Sequence, residues 1–235
     1  RYDRAGGLLI YGIPNFKLEK DIVQRRMKYL EDSDIKIHLN TEIGKDIQFS
    51  DLQKKHDAVL IATGVYKARV ISLEGDSSKV VPALDFLIAS NRKGLGDKVD
   101  NFDNGSLNAK GKNVVVIGGG DTAMDCVRTA IRQEAKSVKC LYRRDKENMP
   151  GSAREVNNAE EEGVEFLWQS LPKKIESNNN GSLLNCIKMK LSEPDSDGRR
   201  IPQELAGSDF ELETDLVIAA LGFSPENLPK IFEVE

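Results

Sequence analysis

The strongest constraint on this chain is a run in its middle, Val114-Val-Val-Ile117, followed at once by Gly118-Gly-Gly-Asp-Thr-Ala123. Consecutive apolar residues read as a strand buried on both faces, and the glycines then demand a sharp turn into a helix. The pattern is G-x-G-x-x-A, in which each small residue has a mechanical reason. Gly118 permits the tight strand-to-helix turn, Gly120 lets the main chain approach a pyrophosphate with no Cβ between them, and Ala123 lets the helix lie close on the sheet. Gly119, Asp121 and Thr122 complete the turn, and its N–H groups and helix dipole face the phosphates. A glycine-rich connector would show the same letters; the strand before and the helix after favour a dinucleotide site.

The end of the next strand decides which dinucleotide. Units that bind NAD place an Asp or Glu there to hold the ribose 2′-hydroxyl, whereas a 2′-phosphate needs cations. Here the strand Val138 to Tyr142 runs directly into Arg143-Arg144. Guanidinium forks match phosphate oxygens in a bidentate way, so the pair favours NADP(H). Asp145, one residue later than the usual carboxylate, keeps NAD open. The bland alternative is a pair of solvated arginines at a loop start.

Around this unit, strands and helices alternate. The spacing predicts a helix from Lys20 to Asp32, a half-buried strand from Ile35 to Leu39, a short helix opened by a capping box at Ser50-Asp-Leu-Gln53, and a continuous apolar strand from Asp57 to Ala62. A helix near Ala83 to Ser90 precedes a polar stretch, Asn91 to Lys112, the best boundary candidate in the chain. Beyond the glycine turn a helix to about Gln133 is expected, then the strand ending at Tyr142, a helix from Ser152 to Glu162 closed by Gly163, and a strand from Val164 to Gln169. Strands around Lys174–Glu176 and Ile187–Leu191 flank Asn178-Asn-Asn-Gly181 as a β-hairpin, and the last strand is Asp215 to Ala220. The expected class is α/β, a doubly wound Rossmann-like parallel sheet with a small β-hairpin.

Composition narrows the partners. The 235 residues carry 34 Lys+Arg against 38 Asp+Glu, a formal charge of -4, which argues against nucleic acid as a main partner. No run approaches the ~18 consecutive apolar residues of a membrane span, so no membrane partner is expected. Cys126, Cys140 and Cys186 lie far apart with no CxxC, which indicates neither a disulfide framework nor a metal site and fits a reducing, cytoplasmic setting. His38 and His56 stand in ordinary contexts, Glu160-Glu-Glu162 reads as a solvated helix face, and Ser152 has no accompanying base. The chain shows no acid–base dyad, and no residue is assigned a catalytic role; Met149-Pro-Gly-Ser152 is read as a loop shaping the cofactor cleft.

Longer blocks carry a resemblance. Val115 to Arg128, Tyr142-Arg-Arg-Asp145, Asn148 to Ser152, Gly6-Gly-Leu-Leu9, Tyr11-Gly-Ile-Pro14, Phe16-Lys-Leu-Glu19 and Ile61-Ala-Thr-Gly64 closely resemble the small (β) subunits of NADPH-dependent glutamate synthases. The resemblance runs over nearly the whole chain. It implies an FAD domain carrying an inserted NADPH domain, with electrons passing from NADPH through FAD to iron–sulfur clusters and on to a large (α) subunit that makes glutamate. It implies NADPH contacts at Gly118, Gly119, Gly120, Asp121, Thr122, Arg143 and Arg144. It also implies flavin contacts at Gly7, Leu8, Gly12, Ile13 and Lys17, an adenine-side contact near Ile43, and FAD contacts at Ala62, Thr63 and Gly64. Read without the family, Gly6-Gly7, Gly12 and Thr63-Gly64 are equally well turn glycines and a strand-to-loop exit.

On that resemblance, residues 1–80 are expected to be a partial FAD-binding domain, 81–112 a connecting helix and linker, 113–222 the NADPH-binding domain and 223–235 a return segment towards the FAD domain. The family's first FAD fingerprint and its cysteine clusters are not in the sequence, so the chain is expected to be a fragment, inactive alone. Two alternatives stand beside this reading: another NADPH-dependent flavoprotein of the same architecture, of the ferredoxin:NADP or dihydropyrimidine dehydrogenase type, and a non-catalytic NADPH-binding or docking module.

Overall fold

The computed structural model describes residues 2–178, 181–193 and 200–233. Its elements are α1 (Leu8–Tyr11), α2 (Lys20–Glu31), α3 (Phe49–Lys55), β1 (Lys67–Ala68), β2 (Glu74–Gly75), a 3-10 turn Ser77–Lys79, β3 (Val80–Pro82), α4 (Ala83–Gly94) and α5 (Asp100–Asp103). There follow β4 (Asn113–Ile117), α6 (Asp121–Arg132), β5 (Ser137–Leu141), α7 (Ala153–Glu161), β6 (Glu165–Leu167), β7 (Ser170–Asn178), β8 (Gly181–Leu191), β9 (Pro202–Thr214), β10 (Leu216–Ala219), β11 (Phe223–Ser224) and α8 (Leu228–Phe232).

The chain divides into two compact units, residues up to Arg69 with those from Phe223 onward, and Val70–Gly222. Within the second unit β3-β10-β4-β5-β6 form a five-stranded sheet, parallel throughout. Alternate residues of its central strands face opposite ways. Val114 and Val116 of β4, Val138 and Cys140 of β5, and Leu216 and Ile218 of β10 pack against Phe86, Met124, Val127 and Val156 of the helices. Val115, Ile117, Leu141 and Val217 pack against Ile175, Leu184 and Cys186 of a second sheet, β2-β7-β8-β9. Both faces of the parallel sheet are covered, which is why β4 is apolar at four successive positions.

The second sheet is an antiparallel meander of β7, β8 and β9 with β2 added in parallel. Asn178 pairs with Gly181, so the expected hairpin forms; its Asn179 and Asn180 lie outside the described residues. β9 is not among the strands expected from the sequence. Its signal is Phe210, Leu212 and Thr214 alternating with exposed Glu211 and Glu213, the period-two pattern of a strand with one covered face.

In the first unit, α1 packs near α2, and β1 pairs with β11 as an antiparallel ribbon. Tyr11 is fully buried, its hydroxyl donating to the Asp3 carboxylate and accepting from Arg4 at 3.2 Å. Phe49 of α3 stacks on Phe232 of α8 with ring centroids 4.7 Å apart. Three expectations are corrected here. Ile35–Leu39 and Asp57–Ala62 are not strands: neither has a ladder partner among the described residues, and Leu60 is 90% exposed. Ser50 does not cap α3, which starts one residue earlier, after Gln48, with no side-chain cap. Within the stretch 81–112, expected to be a connecting helix and linker, the helix is α4, whose Phe86 and Leu87 are core residues of the second unit. No helix among the described residues is long and apolar enough to cross a membrane.

Candidate functional site

β4 is where the sheet's order reverses: β5 and β6 lie to one side, β10 and β3 to the other. In an open parallel sheet the crevice outside the strand ends at such a point is the natural ligand position. The glycine turn leaves β4 there.

Its three glycines have different reasons to be glycine. Gly118 adopts a φ of +147°, and a Cβ on it would lie 2.3 Å from the Ala220 carbonyl oxygen at the exit of β10. A Cβ on Gly119 would lie 2.5 Å from the ring of Tyr142. These two are required by the fold itself. Gly120 is not: a Cβ there would meet nothing within 4 Å. Gly120 is also the N-cap of α6, a twelve-residue helix whose start carries no side-chain cap. Such an end can receive an anion. Ala123 is fully buried, which lets α6 settle on the sheet.

The far wall comes from β5. The Gly118 N–H donates to the Leu141 carbonyl at 3.0 Å, and Tyr142, on which Gly119 rests, leads straight into Arg143-Arg144. Arg144 is held by its main chain, the carbonyl accepting from Gln169 N–H at 3.0 Å, while its Nε is buried without a hydrogen-bond partner among the described residues. Arg143 is exposed. Asp145 is engaged within its own turn: Oδ1 accepts from the N–H and Nδ2 of Asn148, at 3.0 and 2.6 Å.

The loop Met149–Ser152 returns over the turn. Gly151 N–H donates to the Gly119 carbonyl at 2.9 Å and Ser152 N–H to Asp121 Oδ1 at 2.9 Å, while the Tyr142 hydroxyl donates to the Asn148 carbonyl at 2.9 Å. Asp121 and Tyr142 thus acquire partners that no local pattern announces.

The residues named through the resemblance for the flavin lie in the first unit. Gly7 is the N-cap of α1 with a φ of +53°, Leu8 opens that helix, and Gly12 is its C-cap, where a Cβ would lie 2.9 Å from Leu8 Cδ2. The Ile13 N–H donates to the Leu8 carbonyl at 2.8 Å, and the Ile13 carbonyl accepts from the buried Lys20 ammonium. Lys17 is exposed, its N–H on the Pro14 carbonyl at 3.0 Å. Ala62, Thr63 and Gly64 are exposed. Gly7 and Gly64 converge on Tyr66, a residue not singled out from the sequence: their Cβ positions would be 3.5 and 3.4 Å from its hydroxyl and ring. Ile43 stands in a separate turn, bridged to Ile47.

The carboxylates of α7 and its C-cap serve structure. Glu162, expected on a solvated face, accepts from Arg128 Nε and Nη2 at 3.0 and 2.8 Å and from Arg132 Nη2 at 2.9 Å, and Glu155 accepts from Arg128 Nη1 at 2.6 Å. The hydrogen bonds from Arg132, then Arg128, hold the Glu162 carboxyl down to about 2. Burial pushes the Cys140 and Cys186 thiols up to about 12, and Cys126 is raised for the same reason. Among the described residues no group of three His, Cys, Asp or Glu side chains could hold a metal ion.

A family model described as pyridine nucleotide-disulphide oxidoreductase matches residues 46–233. The chain is 57% identical over 234 residues to the glutamate synthase [NADPH] small chain of Azospirillum brasilense, spanning 99% of this chain and 48% of that one. It is 47% identical over 231 residues to the protein of the same name from Escherichia coli K12, spanning 97% and 49%. It therefore spans about half the length of these curated relatives. The solved structure of Mycobacterium tuberculosis FprA in complex with NADPH matches 95% of this chain and 63% of its own, with a TM-score of 0.75 at 18% identity, a likeness of fold. With that model matching most of its length, the chain belongs to the pyridine nucleotide-disulphide oxidoreductase family.

Proposed function

We propose that Val70–Gly222 binds NADPH and that the chain is part of an electron-input flavoprotein subunit of glutamate synthase. The observation that carries the NADPH reading is the pairing of the open space over Gly120 with the buried, unpartnered Nε of Arg144 among the described residues. A diphosphate fits where the main chain of Gly119, Gly120, Asp121 and Thr122 faces outward, and a 2′-phosphate supplies the acceptor that Arg144 lacks. Asp145 turns one oxygen, Oδ1, to Asn148 in its own loop, which supports the arginines rather than this carboxylate as the determinant of the dinucleotide.

Bound NADPH and FAD would supply hydride chemistry between the nicotinamide and the flavin, so this chain would contribute binding, orientation and exclusion of water rather than acid–base groups. Gly7, Leu8, Gly12, Ile13, Lys17, Ile43, Ala62, Thr63 and Gly64 are assigned to the flavin in this reading. The positive φ at Gly7 and Gly64, beside Tyr66, supports close main-chain approach there. The high identity to relatives named glutamate synthase [NADPH] small chain supports delivery of electrons to a large subunit for glutamate synthesis.

The test is a titration of the protein with NADPH and NADH, followed through its single tryptophan, Trp168, with an absorbance scan for flavin on the same sample. Tighter binding of NADPH is expected; equal affinities would contradict the role of Arg143 and Arg144.

A further inference from the structure

The carboxylate of Asp121 is in an unexpected place. It stands at the first position of α6, one residue past Gly120, where a diphosphate would compete with it for the helix dipole and be repelled by it. Its oxygen is already engaged: Oδ1 accepts the Ser152 N–H at 2.9 Å, beside the bond from Gly151 N–H to the Gly119 carbonyl, also 2.9 Å. The two bonds stitch consecutive residues of the returning loop onto the glycine segment. The approach is so close that a Cβ on Gly151 would sit 3.0 Å from Gly119 O and 3.4 Å from Gly120 C. On its other side the turn rests on Tyr142, whose hydroxyl holds the same loop at Asn148. The glycine turn is clamped between an aromatic ring and a strap of main chain, and Asp121 closes the clamp.

We propose that Asp121 is a positioning residue that latches the strap Gly151–Ser152 onto the glycine turn and so sets the shape of the phosphate cradle, without its carboxylate touching the nucleotide. The inference rests on the NADPH reading above and deepens it. It requires a hydrogen-bond acceptor at this position, not a charge. The Asp121→Asn change would keep Oδ1 facing Ser152 and remove a negative charge beside the diphosphate, whereas Asp121→Ala would release the strap.

The experiment compares Asp121→Ala and Asp121→Asn in the protein by two readouts. The first is hydrogen exchange of the peptide containing Gly151 and Ser152, measured without nucleotide; the second is the affinity for NADPH and for NADH. Asp121→Ala is expected to lose exchange protection there and to weaken both nucleotides about tenfold with their ratio unchanged, since both share the diphosphate. Asp121→Asn is expected to keep the protection and bind both nucleotides at least as tightly as the unaltered protein. Protection unchanged in Asp121→Ala, or Asp121→Asn as weak as Asp121→Ala, overturns the latch. Failure of the unaltered protein to bind either nucleotide overturns the NADPH reading instead, and the exchange data still decide the latch. Gly151→Ala provides a second variant should Asp121→Ala not fold: its methyl, pressed on Gly119 O, is expected to weaken both nucleotides equally, and undiminished affinity overturns the proposal.

Discussion

The two ends of α6 follow opposite rules. At its C-terminal half, Arg128 and Arg132 are saturated by Glu155 and Glu162 from α7 and its C-cap, and Arg128 is only 8% exposed. At its N-terminus nothing caps the helix, the space over Gly120 is open, and Arg144 keeps a buried Nε without a partner among the described residues. A buried N–H left without an acceptor costs stability, and a molecule that brings the acceptor would recover it. One end of the helix is finished by the chain, and the other is the end proposed to receive a ligand.

Breaking the finished end should hurt most. Arg128→Met removes the cation between two carboxylates and is expected to lower unfolding free energy by about 3 kcal/mol in urea titration, with NADPH affinity of the folded protein unchanged. Changing the unfinished end should do the reverse. Arg143→Glu with Arg144→Glu is expected to weaken NADPH about 100-fold and NADH only slightly, with no loss of stability. Equal loss for both nucleotides would place those arginines elsewhere in the binding.

Gly120→Val sharpens the contrast within the turn. The open space means the fold accepts the side chain, so the melting temperature should hold while both nucleotides weaken roughly tenfold. The pH dependence tests the finished end once more. Glu162 is held down to about 2 in the folded protein, below its ordinary 4.5, so its stabilisation is complete above about 4.5. It is lost as the pH falls towards about 2, by up to about 1.4 kcal/mol per pH unit, and Glu162→Gln should flatten that slope.

What was legible in the sequence followed from local rules. Val114–Ile117 announced a doubly covered strand because every position has an apolar neighbour, and Lys20–Glu31 announced a helix by its spacing. Asp57–Ala62 is as continuously apolar as β4 after its first residue and yet forms no strand, because a strand exists only through a ladder and no ladder partner pairs with it among the described residues. The same reason removes Ile35–Leu39. Gly118, Gly120 and the arginine pair were visible as a motif. The division of labour among the glycines was not, since it depends on Ala220 and Tyr142 arriving from other strands. Nor was the partner of Asp121, thirty-one residues away in sequence, which only the return of the loop after β5 brings within reach.

The proposed role of the open end of α6 is to receive a nucleotide's phosphates. Crystals of the protein grown with NADP+ test it most directly. The expected result is the diphosphate lying over Gly120 and the 2′-phosphate within hydrogen-bonding distance of Arg144; a nucleotide bound elsewhere, with that arginine still unpartnered, would contradict it.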